Sequence, residues 1–208
     1  MIIAIDGPTA SGKGTISKLL AKHFSLPHLD TGLLYRAVGR QVILNGGDPD
    51  NPSDALAGVE FPGGLLDDPV LRNEATGSLA SRSSVHTAVR KALFERQRAF
   101  AEQDGGAVLD GRDIGTVIAP DADVKLFITA SVKARAQRRF KEMQERGASI
   151  SLAEIIADLE RRDERDTTRK DAPLVAAHDA FVIDTSDMGI DDAFAAALEA
   201  IEQACSAE

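Results

Sequence analysis

Cysteine is almost missing from this chain of 208 residues. Cys205 stands alone, so neither an intramolecular disulfide nor a multi-cysteine metal site can form, and nothing around it marks a nucleophile. Tryptophan is absent, tyrosine occurs once and aromatic residues make up only 4% of the chain. Basic residues are outnumbered too: 24 Lys and Arg face 33 Asp and Glu, a formal net charge of −9. The acidic balance and the shortage of aromatics argue against a nucleic-acid-binding protein or a broad anionic-membrane surface, although local basic clusters can still grip small phosphates. No apolar run is long enough to span a bilayer, and the sequence starts at once on a strand pattern with no basic leader or cleavage site. A cytoplasmic protein without a membrane partner is expected. There is no internal repeat and no low-complexity tract.

Hydrophobic residues, at 43%, suffice for one sizeable α/β core with room for a small appended lobe, and two independent domains are not expected. The N-terminal stretch Ile2 to Thr15, IIAIDGPTASGKGT, organises the rest. Ile2, Ile3 and Ile5 read as a buried strand, Gly7 breaks it, and ISKLLAKHF after Lys13 has amphipathic helical spacing. Between strand and helix, Gly7 and Gly12 let successive N–H groups and the helix N-terminus point at an anion, while Lys13 adds charge for the outer phosphates. The alternative is an ordinary Gly-rich turn, but strand, loop, lysine and helix fall in the order that phosphate binding needs. Gly14 separates Lys13 from Thr15, where the usual phosphate-loop pattern has Ser or Thr directly after the lysine.

Along the chain, the first helix should end near His23. A short strand follows at Leu26 to Leu29, and Asp30 and Thr31 should cap a helix to Leu44. Asn45 to Pro69 holds four of the eight prolines and five of the seventeen glycines, which predicts an exposed loop with one short helix. Helices are predicted over Val70 to Ser83 and Val85 to Gln103. Strands at Ala107 to Leu109, Val124 to Thr129 and Phe181 to Ile183 alternate with helices at Val132 to Arg146, Leu152 to Arg165 and Ala193 to Ala200. Ser151 and Glu154 have capping-box spacing. This alternation predicts a parallel five-stranded sheet covered by helices on both faces, with ligands at the carboxyl ends where Gly7, Asp30, Asp110 and Thr185 sit.

GPTASGKGT, DTGLLYR (Asp30 to Arg36), VRKALFERQRAF (Val89 to Phe100), LDGRDIGT (Leu109 to Thr116) and RRDERDTTRKDAPL (Arg161 to Leu174) together resemble the bacterial cytidylate kinase family over nearly the whole chain. GKGT itself resembles the phosphate-loop variant of nucleoside monophosphate kinases. The resemblance implies a P-loop fold in a single domain: a core over about 1–45, 85–150 and 179–208, a monophosphate-binding lobe over about 46–84 and a short lid over about 151–178. It implies transfer of the γ-phosphoryl group of ATP to CMP or dCMP, with Mg²⁺ accompanying ATP and a monomer expected. Gly7, Pro8, Thr9, Ala10, Ser11, Gly12, Lys13, Gly14 and Thr15 would hold ATP, with Arg135 and Arg139, one helical turn apart, as further candidates on that side. Thr31, Tyr35, Arg36 and Arg112 would meet the acceptor, Thr31 standing where the family often has serine. Alone, each arginine reads as a solvated surface residue. Guanidiniums gathered on one dianion are harder to explain as packing.

The family's base contacts map onto Ser81, Arg90 and Asp113. Asp113 would accept from cytosine's amino group, Arg90 donate to N3 or O2, and Ser81 do either. Uracil would turn a carbonyl toward Asp113, a mismatch worth about 1–3 kcal/mol. The plainer role for Asp113 is a loop carboxylate paired with Arg112. Arg161 to Arg169 could be a charged solvated helix face; by resemblance it belongs to the lid, with Arg162 and Asp166 on the acceptor and Arg169 reaching the transferred group. Lys13, Arg162 and Arg169 are thus the expected catalytic groups. No general base is needed, because the acceptor is a phosphate dianion, and His23, His28, His86 and His178 read as structural or surface. Asp110 could hold magnesium's waters or brace the phosphate loop, and no direct protein metal ligand is assigned. The sequence departs from the family in one place: Gly46 to Leu71 looks too short and too rich in Gly and Pro for the family's insert with its own small sheet, so a reduced lobe is expected. The rival functions are a kinase for UMP or AMP, against which the base set argues, and a silent nucleotide-binding protein, against which the lid arginines argue.

Overall fold

The computed structural model describes residues 1–145, 147 and 149–206. Its Cα positions divide into two compact units, one of Met1–Leu29 with Ala101–Glu208, the other Asp30–Phe100.

The first unit is built on β1 (Ile2–Asp6), whose Ile3, Ala4, Ile5 and Asp6 are all buried, as a central strand covered on both faces requires. It pairs in parallel with β3 (Ala107–Gly111) on one side and β4 (Val124–Thr129) on the other. With β2 (His28–Asp30) and β5 (Phe181–Asp184) at the edges, the sheet runs β2-β3-β1-β4-β5, and helices lie on both faces. The connection from β1 runs toward the β2 edge and that from β4 toward the β5 edge, so the carboxyl ends of these two neighbouring strands form the topological switch point where α/β sheets take ligands. α1 (Lys13–Phe24) and α8 (Ile190–Ser206) supply Ile16, Leu20, Ala197 and Ile201 to a core with Ile3, Ile5, Val108, Leu126 and Ile128. A second core forms where α6 (Val132–Glu145) meets α7 (Leu152–Thr168) through Ala136, Ile155 and Leu159, with Ala10 packed on it. The predicted capping box starts α7: Ser151 accepts from the Glu154 amide and Glu154 accepts from the Ser151 amide. α7 runs three residues past its predicted end. Arg146, the predicted end of α6, lies outside the described residues.

The second unit is helical: α2 (Thr31–Leu44), α3 (Pro52–Ala57), 3₁₀ turns at Gly63–Asp67 and Pro69–Arg72, α4 (Glu74–Ser83) and α5 (Thr87–Ala101). Asp30 stands at the N-cap of α2 without a side-chain cap bond, so its predicted capping role is not seen. The predicted helix over 70–83 is broken at Asn73, which is extended and accepts from the Thr76 amide at 2.8 Å, an N-cap that restarts the helix as α4. The 45–69 stretch is less open than its composition suggests. Asn51 caps α3, with Pro52 at its first position, and Leu65 and Leu71 bury themselves with Ala37.

Candidate active site

Gly7 follows β1 with φ 152°, and a Cβ there would lie 2.0 Å from the Ile128 carbonyl oxygen. Only glycine lets the chain pass this close to β4. Gly12, at φ 93°, is the N-cap of α1, and its carbonyl accepts from the amides of Thr15 and Ile16, which starts the helix. Pro8, Thr9, Ala10 and Ser11 form the arch between them. Lys13 Nζ donates to the Pro8 carbonyl at 3.4 Å, folding the lysine back over the loop, while Thr15 is exposed in the first turn beyond Gly14. Amides around the arch, the helix N-terminus and Lys13 make a nest for an anion.

Arg112 reaches this loop from the end of β3. Its NH2 donates to Thr9 Oγ1 at 2.6 Å, its Nε to Asp166 Oδ2 at 2.7 Å and its NH1 to the Gly111 carbonyl at 3.2 Å. Burial alone would raise the Asp166 carboxyl. The Arg112 charge and hydrogen bond outweigh it and hold Asp166 below the usual carboxylate range; burial works against Arg112's charge in the same way and is outweighed by Asp166. Arg169 NH2 lies 3.7 Å from Asp113 Oδ1, and its Nε donates to the Ala172 carbonyl. The GRD loop and the end of α7 therefore meet through two cation–carboxylate pairs, with Asp113 facing Arg169. Arg162 is buried on α7 and lies 3.0 Å from Asp158.

Of the two further ATP-side arginines, Arg135 donates to the Thr9 carbonyl at 3.1 Å and grips Asp163 with both NH groups. It braces the arch from α6. Arg139 donates to Glu142 at 3.1 Å. Its neighbour Arg138, which the motifs do not single out, holds the loop instead: it donates to Thr185 Oγ1 at 3.0 Å, to the Thr185 carbonyl and, at 3.5 Å, to the Ser11 carbonyl. Thr185 Oγ1 is itself 3.0 Å from that Ser11 oxygen. The signal was available, since Arg138 lies three residues from Arg135 and so shares its helix face. Asp6 was missed as well. Buried at the end of β1, it accepts at 2.8 Å from the amides of both Ile114 and Gly115. Asp110 Oδ2 lies 2.7 Å from His28 Nε2, a structural partner for one of the four histidines.

In the second unit, Thr31 is buried at the start of α2, and Arg90 of α5 places its guanidinium 5.6 Å from the centre of the Tyr35 ring. Arg90 NH1 is 3.5 Å from the Ser84 carbonyl, beside α4, which carries Ser81. Arg36 NH1 donates to the carbonyls of Leu71 and Asn73 at 2.7 and 2.8 Å, tying α2 to the start of α4. Thr31, Tyr35, Arg36, Ser81 and Arg90 thus belong to one unit; Lys13, Arg112, Asp113, Arg135, Arg162, Asp166 and Arg169 belong to the other.

A solved structure of an uncharacterized protein from Eubacterium ventriosum shares the fold, with a TM-score of 0.57 at 16% identity, covering 97% of this chain and 98% of that one. Curated relatives are far nearer in sequence. A cytidylate kinase from a Caulobacter species is 51% identical over 98% of this chain and 94% of its own, and one from Azorhizobium caulinodans is 52% identical over 98% and 99%. The family model described as cytidylate kinase matches residues 3–60 and 61–203. With its phosphate loop, its GRD loop and its arginine-bearing α7 all inside that match, the chain belongs to the cytidylate kinase family.

Proposed function

We propose that the protein moves the γ-phosphoryl group of ATP to CMP or dCMP, giving ADP and CDP or dCDP. Among the geometric observations one carries the reading: Arg112, an acceptor-side arginine by family resemblance, touches Thr9 of the phosphate loop. Phosphoryl transfer needs donor and acceptor phosphates in line, held by groups that neutralise their charge. In this reading the Gly7–Thr15 loop cradles ATP, Lys13 meets its outer phosphates, and Arg112 and Arg36 face the acceptor phosphate. Arg162 and Arg169 neutralise the group in flight, with Asp166 on the acceptor's sugar. Ser81, Arg90 and Asp113 read the base, Thr31 and Tyr35 complete the acceptor's surroundings, and Arg135 and Arg139 serve the ATP side. The short lid over about 151–178 and the lobe over about 46–84 are assigned on the same basis. Asp113 pairs with Arg169 in the present structure, so cytosine's amino group would share or replace that contact.

Among the described residues no three His, Cys, Asp or Glu side chains gather as a metal site. The Mg²⁺ ion is proposed, on the family resemblance, to enter with ATP, because magnesium takes phosphate oxygens and keeps several waters. The exposed Thr15 hydroxyl is the group that would meet it. When bound, the ion would supply neutralisation of the phosphates' charge. The family resemblance is the ground on which a cytoplasmic, monomeric enzyme is proposed; among the described residues no helix is long and apolar enough to cross a membrane.

The test is ADP release from Mg-ATP with CMP, dCMP, UMP, AMP and GMP offered singly. Fast turnover confined to CMP and dCMP is expected. Preference for UMP or AMP would remove the base assignment and leave the kinase; silence with every acceptor would remove both.

A further inference from the structure

Asp6 is buried, carries charge and is not required by the reaction, since the acceptor is already a dianion. Only 4% exposed, it stands between two chemically distinct loops. On its C-terminal side is Gly7, which passes so close to the Ile128 carbonyl that no Cβ would fit. Across from it, Oδ1 accepts from the Ile114 amide and Oδ2 from the Gly115 amide, each at 2.8 Å. Those amides open a single π-helical turn, Ile114–Ile118, directly after Arg112 and Asp113. Such turns are costly to form and concentrate at functional sites. Here two amides left without helical partners at the start of the turn are both satisfied by one carboxylate.

We propose that Asp6 is a positioning residue for the acceptor: its carboxylate clamps the π-turn to the end of β1 and so sets where Arg112 and Asp113 stand relative to the phosphate loop. This rests on the CMP kinase reading above. The clamp needs both oxygens as acceptors. An asparagine offers one acceptor and turns an NH₂ group toward the second amide, which loses that bond and leaves a buried donor unpaired. Burial pushes the Asp6 carboxyl up to about 6, despite the two amides and Lys13, which favour the charge, and with Asp113 opposing it. The groups around it are Lys13 from α1, Arg112 and Asp113 from the GRD loop, and Lys125 from β4. The Lys125 stem packs beside Gly115 and its Nζ is held by Asp179 at 2.6 Å. A charge kept in such a place against its own solvation is better explained by a task than by stability.

Asp6→Asn tests this in the full chain. The expected kcat/KM for CMP falls about 30-fold, the scale of one lost charge-assisted hydrogen bond. KM for ATP should move about threefold or less, and the melting temperature at pH 7 should not fall. The ratio of wild-type to variant kcat/KM for CMP should shrink as pH drops below about 6, where a protonated Asp6 comes to resemble Asn; titration of CMP itself cancels in this ratio. Unchanged CMP kinetics, or equal losses for ATP and CMP with a lowered melting temperature, would overturn the proposal. If Asp6→Asn does not fold, amide hydrogen exchange of the wild type decides: protection of Ile114 and Gly115, corrected for intrinsic rates, should weaken as pH falls through about 6, and a flat profile overturns the clamp. A wild type inactive with CMP would refute the function while leaving this exchange test intact.

Discussion

Replacing Arg112 with methionine should damage stability and acceptor use together, and the size of the first can be worked from the structure. The Arg112 side chain is about one quarter exposed at 24%, its partner Asp166 only 8%, and they meet at 2.7 Å. Removing the guanidinium leaves Asp166 with burial against it and its nearest compensating charge gone. Breaking one side of a buried pair typically costs about 3–5 kcal/mol; partial exposure of Arg112 puts the expectation at the lower end, about 3 kcal/mol. Asp166→Leu in the same background removes the stranded charge, so the double variant should recover about 2 kcal/mol or more of that loss. The pH dependence has a definite sign. Asp166 is held below its ordinary value in the fold, so the pair's contribution is present above that ordinary value, 3.8, and is lost as pH falls through the lower folded value. The deficit of Arg112→Met should accordingly be largest near neutrality and shrink in acid. Urea unfolding of the wild type, both singles and the double at pH 7 and at a pH well below 3.8 measures all of this. A single-variant loss below about 1 kcal/mol, or a double whose loss equals the sum of the singles, would refute the view that the two groups compensate each other.

Gly7→Ala places a Cβ 2.0 Å from the Ile128 carbonyl oxygen at φ 152°, and should raise KM for ATP more than about tenfold with a lowered melting temperature. Near-normal ATP kinetics would mean that the arch can shift freely. Arg138→Ala removes the clasp on Ser11 and Thr185 and should raise KM for ATP about tenfold with CMP affinity changed about twofold or less; in the same assay Arg139→Ala should do less. Asp6, raised in the fold from 3.8 to about 6, contributes stability that is full below 3.8 and lost as pH rises through 6, at most about 3 kcal/mol. Asp6→Asn should flatten that part of the stability–pH curve, and an unaltered curve would show that the group is not strained by burial.

Strands buried on both faces and the helices between them write strong patterns. β4 runs over the predicted Val124–Thr129 and α2 over the predicted span to Leu44, because continuous apolar runs and sustained helical spacing each admit one solution. The phosphate loop was equally legible, since Gly7 and Gly12 satisfy backbone demands no other residue meets cheaply. What escaped depends on contacts distant in sequence. Leu65 looks like a loop leucine among glycines, prolines and acids until Ala37 covers it. Asn73 interrupts a helical pattern through a cap bond that propensity does not reveal. Arg138 and Arg139 are adjacent and chemically equal, and only the position of Ser11, 127 residues away along the chain, decides which one holds the loop. Asp6 sits in an apolar strand one residue before a known motif; the donors that justify it lie 108 and 109 residues on.

The most direct measurement follows the phosphorus itself: ³¹P spectra of the protein with Mg-ATP and CMP, beside Lys13→Ala. CDP should appear one for one with ADP, without inorganic phosphate, and the variant should form it far more slowly. Release of inorganic phosphate with no CDP would contradict the account, showing a phosphate loop that activates ATP without delivering the group to a cytidine nucleotide.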